Sequence, residues 1–268
     1  LKIGVTGFPP LTFRALSIVL GVPVLAAALL LLKVPFHIAR RDWPAMLWLG
    51  MHNMFIWHPL IILAVSTLSS GRAAILGYTM PIFSALWGAL AFQNRLSARA
   101  WGGVAAASVG VGLLLWHELT QLAGRPAGVA LALIAAASWA WGTQLLRHTA
   151  LRTHTLTLSF WMTTLTAVLM TLLALGFEAD RWHPPSAANW VAIVYNAVLV
   201  FGFAHAAWFT LARGLPPVAS TLSVMFIPVL GVFSGAWWLG ETVHWQDAAA
   251  VGLMVAAIAS VLLPTRRA

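Results

Sequence analysis

Residues 58–96 read HPLIILAVSTLSSGRAAILGYTMPIFSALWGALAFQNRL, and residues 205–243 read HAAWFTLARGLPPVASTLSVMFIPVLGVFSGAWWLGETV. A shift of 147 lays the first on the second. His58 then falls on His205, Leu68 on Leu215, Pro81 on Pro228, Gly88 on Gly235 and Ala89 on Ala236. Five identities are few, but they include a histidine and a helix-breaking proline at one register. Each copy reads as an apolar helix with one histidine, a tight turn, and a second apolar helix broken by a proline. The chain is therefore expected to be internally duplicated, with its functional site where the copies face each other.

Composition sets the surroundings. Hydrophobic residues make up 61% of the chain and charged residues 8%, against about 25% charge in a typical soluble domain. Too few polar side chains remain to cover a water-facing surface, so the chain is expected in a lipid bilayer. The net charge of +9 does not point to nucleic acid. Basic residues stand singly or in pairs between apolar runs and form no basic face. With no cysteine, disulfides and thiolate metal sites are excluded. No catalytic arrangement is visible either. Glu241, His244 and Asp247 lie close in sequence, but at a turn where helix capping accounts for them.

Runs near the roughly 20 residues that a helix needs to cross a bilayer fall at about 10–32, 43–66, 70–92, 99–116, 127–146, 155–177, 189–212, 218–239 and 247–263. They are long and continuous, unlike the short alternating strands of a membrane barrel. At a shift of 145, Leu1-Lys2 matches Leu146-Arg147, which a full helix precedes. A first helix, with residues 1–5 as its tail, is therefore expected upstream. The predicted fold is an all-α integral membrane bundle of ten helices, built from two five-helix repeats, 1–122 and 123–268. Lys33, Arg40, Arg41, Arg95, Arg99, Arg147, Arg152, Arg213, Arg266 and Arg267 fall on one side of it; Lys2, Arg72, Arg125 and Arg181 fall on the other. The richer side is expected in the cytoplasm, with both termini. Five is odd, so the copies are expected to insert in opposite senses, as an inverted repeat. Trp43, Trp48, Trp101, Trp116, Trp182, Trp190, Trp237, Trp238 and Trp245 lie near predicted helix ends, where indoles meet headgroups. Trp57, Trp87, Trp139, Trp141, Trp161 and Trp208 lie deeper.

All six acidic residues, Asp42, Glu118, Glu178, Asp180, Glu241 and Asp247, fall in predicted loops or helix ends. Cation-coupled carriers place a carboxylate at mid-membrane to hold and release the ion, so a carrier without cation coupling is expected. His58 and His205 are the main polar candidates. A histidine facing lipid is costly, so both should face protein or a cavity, contacting substrate or bonding a neighbouring helix. Trp57 precedes His58. Tyr78 stands three residues before Pro81, and Met225 three before Pro228. Trp141, Gln144, Tyr195 and Trp208 are further candidates. Together they would line an aromatic, methionine-rich cavity suited to apolar metabolites; ordinary packing is the competing reading. Pro81 and Pro228 would free the carbonyls of Gly77 and Val224, as hinges or as static kinks. Small residues repeat every four positions at Gly102, Ala106 and Gly110, and at Gly252, Ala256 and Ser260, which suits close scaffold packing.

The lysine ahead of Pro9-Pro10 and Arg14, the paired Pro81 and Pro228, and the Gly240-Glu241 turn followed by Gln246 resemble, in this order, EamA-type members of the drug/metabolite transporter superfamily. The first half departs from the pattern, with Gln93-Asn94 in place of Gly-Glu. Within that superfamily the tryptophan-rich interior with His58 and Tyr78 is most similar to the YddG group of bacterial aromatic amino acid exporters. The resemblance implies a basket-shaped bundle around a central cavity. At matching positions it implies Trp57, His58, Tyr78, Trp141 and His205 as lining residues, and export of aromatic and other apolar amino acids.

The expectation is an alternating-access carrier in a bacterial inner membrane. It would take small-molecule amino acid substrates, meet the lipid bilayer, bind no nucleic acid, need no cofactor, catalyse no reaction and act as a monomer. Two alternatives stay open. The same fold could carry a sugar-phosphate, a nucleotide-sugar or an apolar drug; phosphate would need basic residues in the cavity, and Lys2 and Arg147 are the nearest. A membrane haem protein could use His58 and His205 as axial ligands.

Overall fold

In the computed structural model, the described residues are 2–68, 76–77, 79–94, 97–119 and 126–214, with 230, 237, 245, 248–249, 251–253 and 255–256 beyond them. Among them all regular structure is helical. A short helix α1 (Lys2–Val5) leads through a turn at Gly7, φ +67°, into α2 (Pro10–Leu31). Proline suits this first turn, because the N–H it lacks would have no intrahelical partner. The other free donors are met from far along the chain. Glu178 carboxylate oxygens accept from Leu11 N–H at 3.1 Å and from Thr12 N–H and Oγ1 at 2.8 Å each. Trp182 Nε1 donates to the same threonine hydroxyl at 2.9 Å. A negative side chain thus closes the positive end of a helix that is not its own. Glu178→Gln is expected to cost about 1–2 kcal/mol, read as a lower Tm of the purified protein.

The second span joins α3 (Trp43–Gly50), a π-helical segment Met51–Phe55 and α4 (Trp57–Thr67). Then come α5 (Met80–Leu90), α6 (Ala98–Leu119), α7 (Pro126–His148) and α8 (Thr155–Glu178). The last long span joins α9 (Ala187–Tyr195), a second π-helical segment Asn196–Ala204 and α10 (His205–Gly214). Ser186 and Asn189 cap its start reciprocally. Among the described residues, five helices are long and apolar enough to cross a membrane: Pro10–Leu31, Arg40–Thr67, Pro126–His148, Thr155–Arg181 and Ala187–Gly214. These match five of the predicted spans. Away from the span ends their exposed positions are mostly apolar, for example Leu172, Val191 and Phe203. The predicted span 70–92 is represented by α5, and the spans 218–239 and 247–263 lie largely outside the described residues. Trp48, Trp101, Trp182, Trp190, Trp237 and Trp245 are exposed, while the deeper tryptophans are at least half-buried.

The two π segments were not legible in the sequence. Each widens one turn, so that Ile56 N–H reaches Met51 O at 3.0 Å and His205 N–H reaches Val200 O, five residues back. One extra residue per turn leaves the apolar composition unchanged, so periodicity does not report it. Adding 147 to 51–55 gives 198–202, inside Asn196–Ala204. The first segment ends three residues before His58 and the second ends immediately before His205.

The core forms where α2 runs along α8 and the 196–204 segment, while α7 packs on α4, α5 and the 51–55 segment. Two glycines permit these approaches. A Cβ on Gly142 would stand 2.7 Å from Asn53 N and from His52 C. Asn53 Nδ2 donates to the Gly142 carbonyl at 2.6 Å. A Cβ on Gly21 would meet Phe201 Cβ at 2.6 Å. By contrast, a Cβ on Gly102 would meet nothing within 4 Å, so at that position the small-residue repeat of α6 is not a contact among the described residues.

Pro81 has a different setting from the one predicted. It occupies the first turn of α5, behind Thr79, whose hydroxyl donates to Leu76 O at 2.6 Å. The helix is interrupted ahead of the proline, and Pro81 starts the new segment. Pro228, its predicted partner, lies outside the described residues. At the turn after α5, Gln93 has φ +53°. It stands where the second copy has Gly240, and glycine takes that left-handed conformation without a Cβ penalty.

Candidate functional site

The 51–55 and 196–204 segments deliver His58 and His205 to one point in the core. Their ring centroids are 5.6 Å apart. Both are buried, at 1% and 8% exposure. Phe201 binds them together, with centroids 5.1 Å from each. Trp139 of α7 touches His205 at 5.6 Å and Trp57 at 5.3 Å, and Phe209 lies 6.3 Å from His205.

The two histidines differ in their bonding. His205 Nδ1 lies 2.8 Å from Val200 O. A carbonyl only accepts, so the proton of that bond is on Nδ1, and Nε2 of the neutral ring is an acceptor. His58 has no partner on either nitrogen among the described residues. Among the described residues, then, His58 shows no bond to a neighbouring helix. Buried polar groups are normally satisfied, and an unsatisfied one calls for a reason.

On the other side of Trp139 is a narrow cleft with room for little more than a water molecule, lined by Met80, Pro81, Ser84, Trp139, Ala140, Thr143 and Trp208. Trp208 Nε1 is buried and without a partner among the described residues. Gln144 stands nearby between α7 and α5, donating to Ser84 O at 2.7 Å and Ser84 Oγ at 3.1 Å, with Oε1 unpartnered. Trp141 belongs to a neighbouring aromatic group with Trp87 at 5.6 Å and Phe92 at 5.2 Å.

The structure thus brings Trp57, His58 and His205 together through shared rings and puts Trp208 on the adjoining cleft. Tyr195 does not join them. It is 58% exposed and continues a stripe with Val191, Val194, Val198 and Leu199, all exposed. Spacings of three and four residues put that stripe on the lipid face of its helix. Tyr78 and Met225 lie outside the described residues.

Two residues were missed as candidates, Arg14 and Asn53. Arg14 was legible as part of the Pro-Pro-Arg pattern, but its position one turn into α2 suggested a helix end. It is 2% exposed, and its Cζ lies over the Phe201 ring, 5.6 Å from the centroid. Its Nε is buried without a partner. The alternative cations are engaged or peripheral: Arg147 Nε donates to Ala212 O at 3.2 Å at the end of α10. Asn53 was also missed, since an asparagine in an apolar run carries no signal of which carbonyl it reaches.

A haem does not fit between the histidines. Phe201, Trp139 and Phe209 fill the space around the pair, and a macrocycle needs a flat slot there.

Comparison with known proteins agrees with this architecture. The profile of the EamA-like transporter family matches residues 1–116 and 126–263. YedA of Escherichia coli (strain K12), described as an uncharacterized inner membrane transporter, is 28% identical over 264 residues, covering 98% of this chain and 85% of its own. A probable amino-acid metabolite efflux pump of Salmonella typhimurium (strain LT2) is 24% identical over 96% of this chain and 87% of its own. YoaV of Bacillus subtilis (strain 168), an uncharacterized transporter, is 22% identical over 89% of this chain and 82% of its own. A protein crystal structure at 24% identity superposes with a TM-score of 0.79, covering 99% of this chain and 91% of the other. The chain belongs to the EamA-like transporter family: it is an all-α membrane transporter and not an enzyme.

Proposed function

We propose that this transporter exports amino acids, preferring aromatic and other apolar ones, from the cytoplasm across a bacterial inner membrane. It acts as a monomer, by alternating access, with both termini cytoplasmic and without cation coupling. The observation that carries this reading is the His58–His205 pair, delivered from two spans into a ring of aromatic side chains with both His58 nitrogens unpartnered among the described residues. Free donors and acceptors in an apolar, aromatic surround suit a solute with a polar head and an apolar body. The similarity to a named amino-acid metabolite efflux pump supports the substrate class.

In this reading the chain is an inverted repeat divided at 1–122 and 123–268, and the coincidence of the π segments at one register supports it. Substrate meets Trp57, His58, Gln144, His205 and Trp208, with Trp141 behind them and Tyr78 and Met225 completing the lining by register. Pro81 and Pro228 are the hinges. The interruption of the helix before Pro81 supports this, since a broken backbone lets two helical pieces tilt separately.

Uptake of labelled tryptophan, phenylalanine and glutamate into proteoliposomes tests the proposal. Saturable counterflow of the aromatic pair, well above glutamate and insensitive to an imposed proton gradient, is the expected result. Strong gradient dependence would overturn the uncoupled reading, and counterflow of none of the three would overturn the substrate class.

A further inference from the structure

We propose that Arg14 receives the carboxylate of the cargo, so that the substrate carries a single carboxylate on an apolar body and is held by that acid group rather than by an amine. This deepens the amino acid reading and rests on the same site.

Arg14 is a fully buried cation with no carboxylate beside it among the described residues. Among the described residues Asp42 is paired with Arg41 at 3.6 Å, Glu178 is committed to the start of α2, and Asp180 is exposed. Glu118, Glu241 and Asp247 belong to predicted helix ends. A guanidinium taken out of water needs an anion or a set of acceptors, and among the described residues no acceptor is within hydrogen-bonding distance of Nε.

Its position points to the site already described. Phe201 lies 5.6 Å from Arg14 Cζ and 5.1 Å from the ring centroids of both His58 and His205. One aromatic ring therefore carries the cation and both unusual histidines. An aromatic face holds a guanidinium through its quadrupole but uses none of its N–H donors. Those donors lie in the guanidinium plane, in the fork geometry that takes a carboxylate bidentately. His58, with two open nitrogens on the same ring, is placed to add a further bond. A single cation matches a single negative charge; a phosphate dianion would call for a second, and Arg147 is turned to Ala212 O instead.

The test compares three probes that share one apolar body: L-tryptophan, L-tryptophanamide and indole-3-acetate, with glucose-6-phosphate as a fourth. Binding is read by thermal shift and by competition against the best-transported label. The wild type is expected to bind tryptophan and indole-3-acetate at least tenfold more tightly than tryptophanamide. Arg14→Gln should erase that preference, and Arg14→Lys should keep part of it. Equal wild-type affinity for tryptophan and its amide would overturn the assignment without need of any variant, and so would an undiminished preference in a folded Arg14→Gln protein. Tighter binding of glucose-6-phosphate than of either acid would also overturn it. If no amino acid is transported but indole-3-acetate binds in an Arg14-dependent way, the amino acid reading fails and the carboxylate assignment stands.

Discussion

Gly142→Val is expected to prevent normal assembly of the bundle. The first Cβ alone would lie 2.7 Å from Asn53 N and His52 C, which are backbone atoms of the 51–55 segment and cannot rotate away. Relief requires α7 to move off the second span. That movement would also break the 2.6 Å bond from Asn53 Nδ2 to the Gly142 carbonyl. Overpacking typically costs 1–3 kcal/mol, and an orphaned buried amide costs about 1–3 kcal/mol more. The sum, about 2–6 kcal/mol, is a large part of the stability of an ordinary domain. A sharply reduced yield of monodisperse protein and a Tm lower by several degrees are the readouts. Wild-type Tm and elution would show that α7 does not approach the segment as closely as this. Gly102→Val is the matched control, because among the described residues nothing lies within 4 Å of that Cβ, and its effect should be small.

His58→Leu separates stability from transport. Leucine has a similar volume and leaves no buried nitrogen unsatisfied, whereas His58 leaves two. Replacing such a group by an apolar one of like shape is nearly neutral or stabilising, so Tm should hold or rise. Transport should fall, because a hydrogen bond to substrate worth about 1.4 kcal/mol is a tenfold change in affinity. The measurement is counterflow of labelled tryptophan at a concentration below half-saturation, together with thermal unfolding in detergent. An unchanged rate would remove His58 from the substrate site. A residue kept at a cost in stability is the pattern expected where function rather than packing selects the side chain.

Much of the architecture follows from local rules. The apolar runs around 10–32, 43–66, 127–146, 155–177 and 189–212 correspond to the five membrane-crossing helices of the described residues, because lipid leaves a backbone few alternatives to a helix. The division of tryptophans into exposed ends and buried interior was legible for the same reason. The match of His58 with His205 also named two side chains that meet in the folded chain.

What the sequence determined alone is therefore the solvent, the helices and the two polar residues that recur at one register. The tertiary structure decided the rest, since it depends on rotation of each helix about its axis and on contacts between residues more than a hundred positions apart. It turned Tyr195 to the lipid face, although tyrosine in an apolar run reads equally well as lining. It widened the turns before both histidines, which composition does not encode. It gave Glu178 to the start of α2, 166 residues away from Thr12. It also buried Arg14 against Phe201. One turn inside a helix, an arginine can reach water or core, and the helix packed beside it decides which.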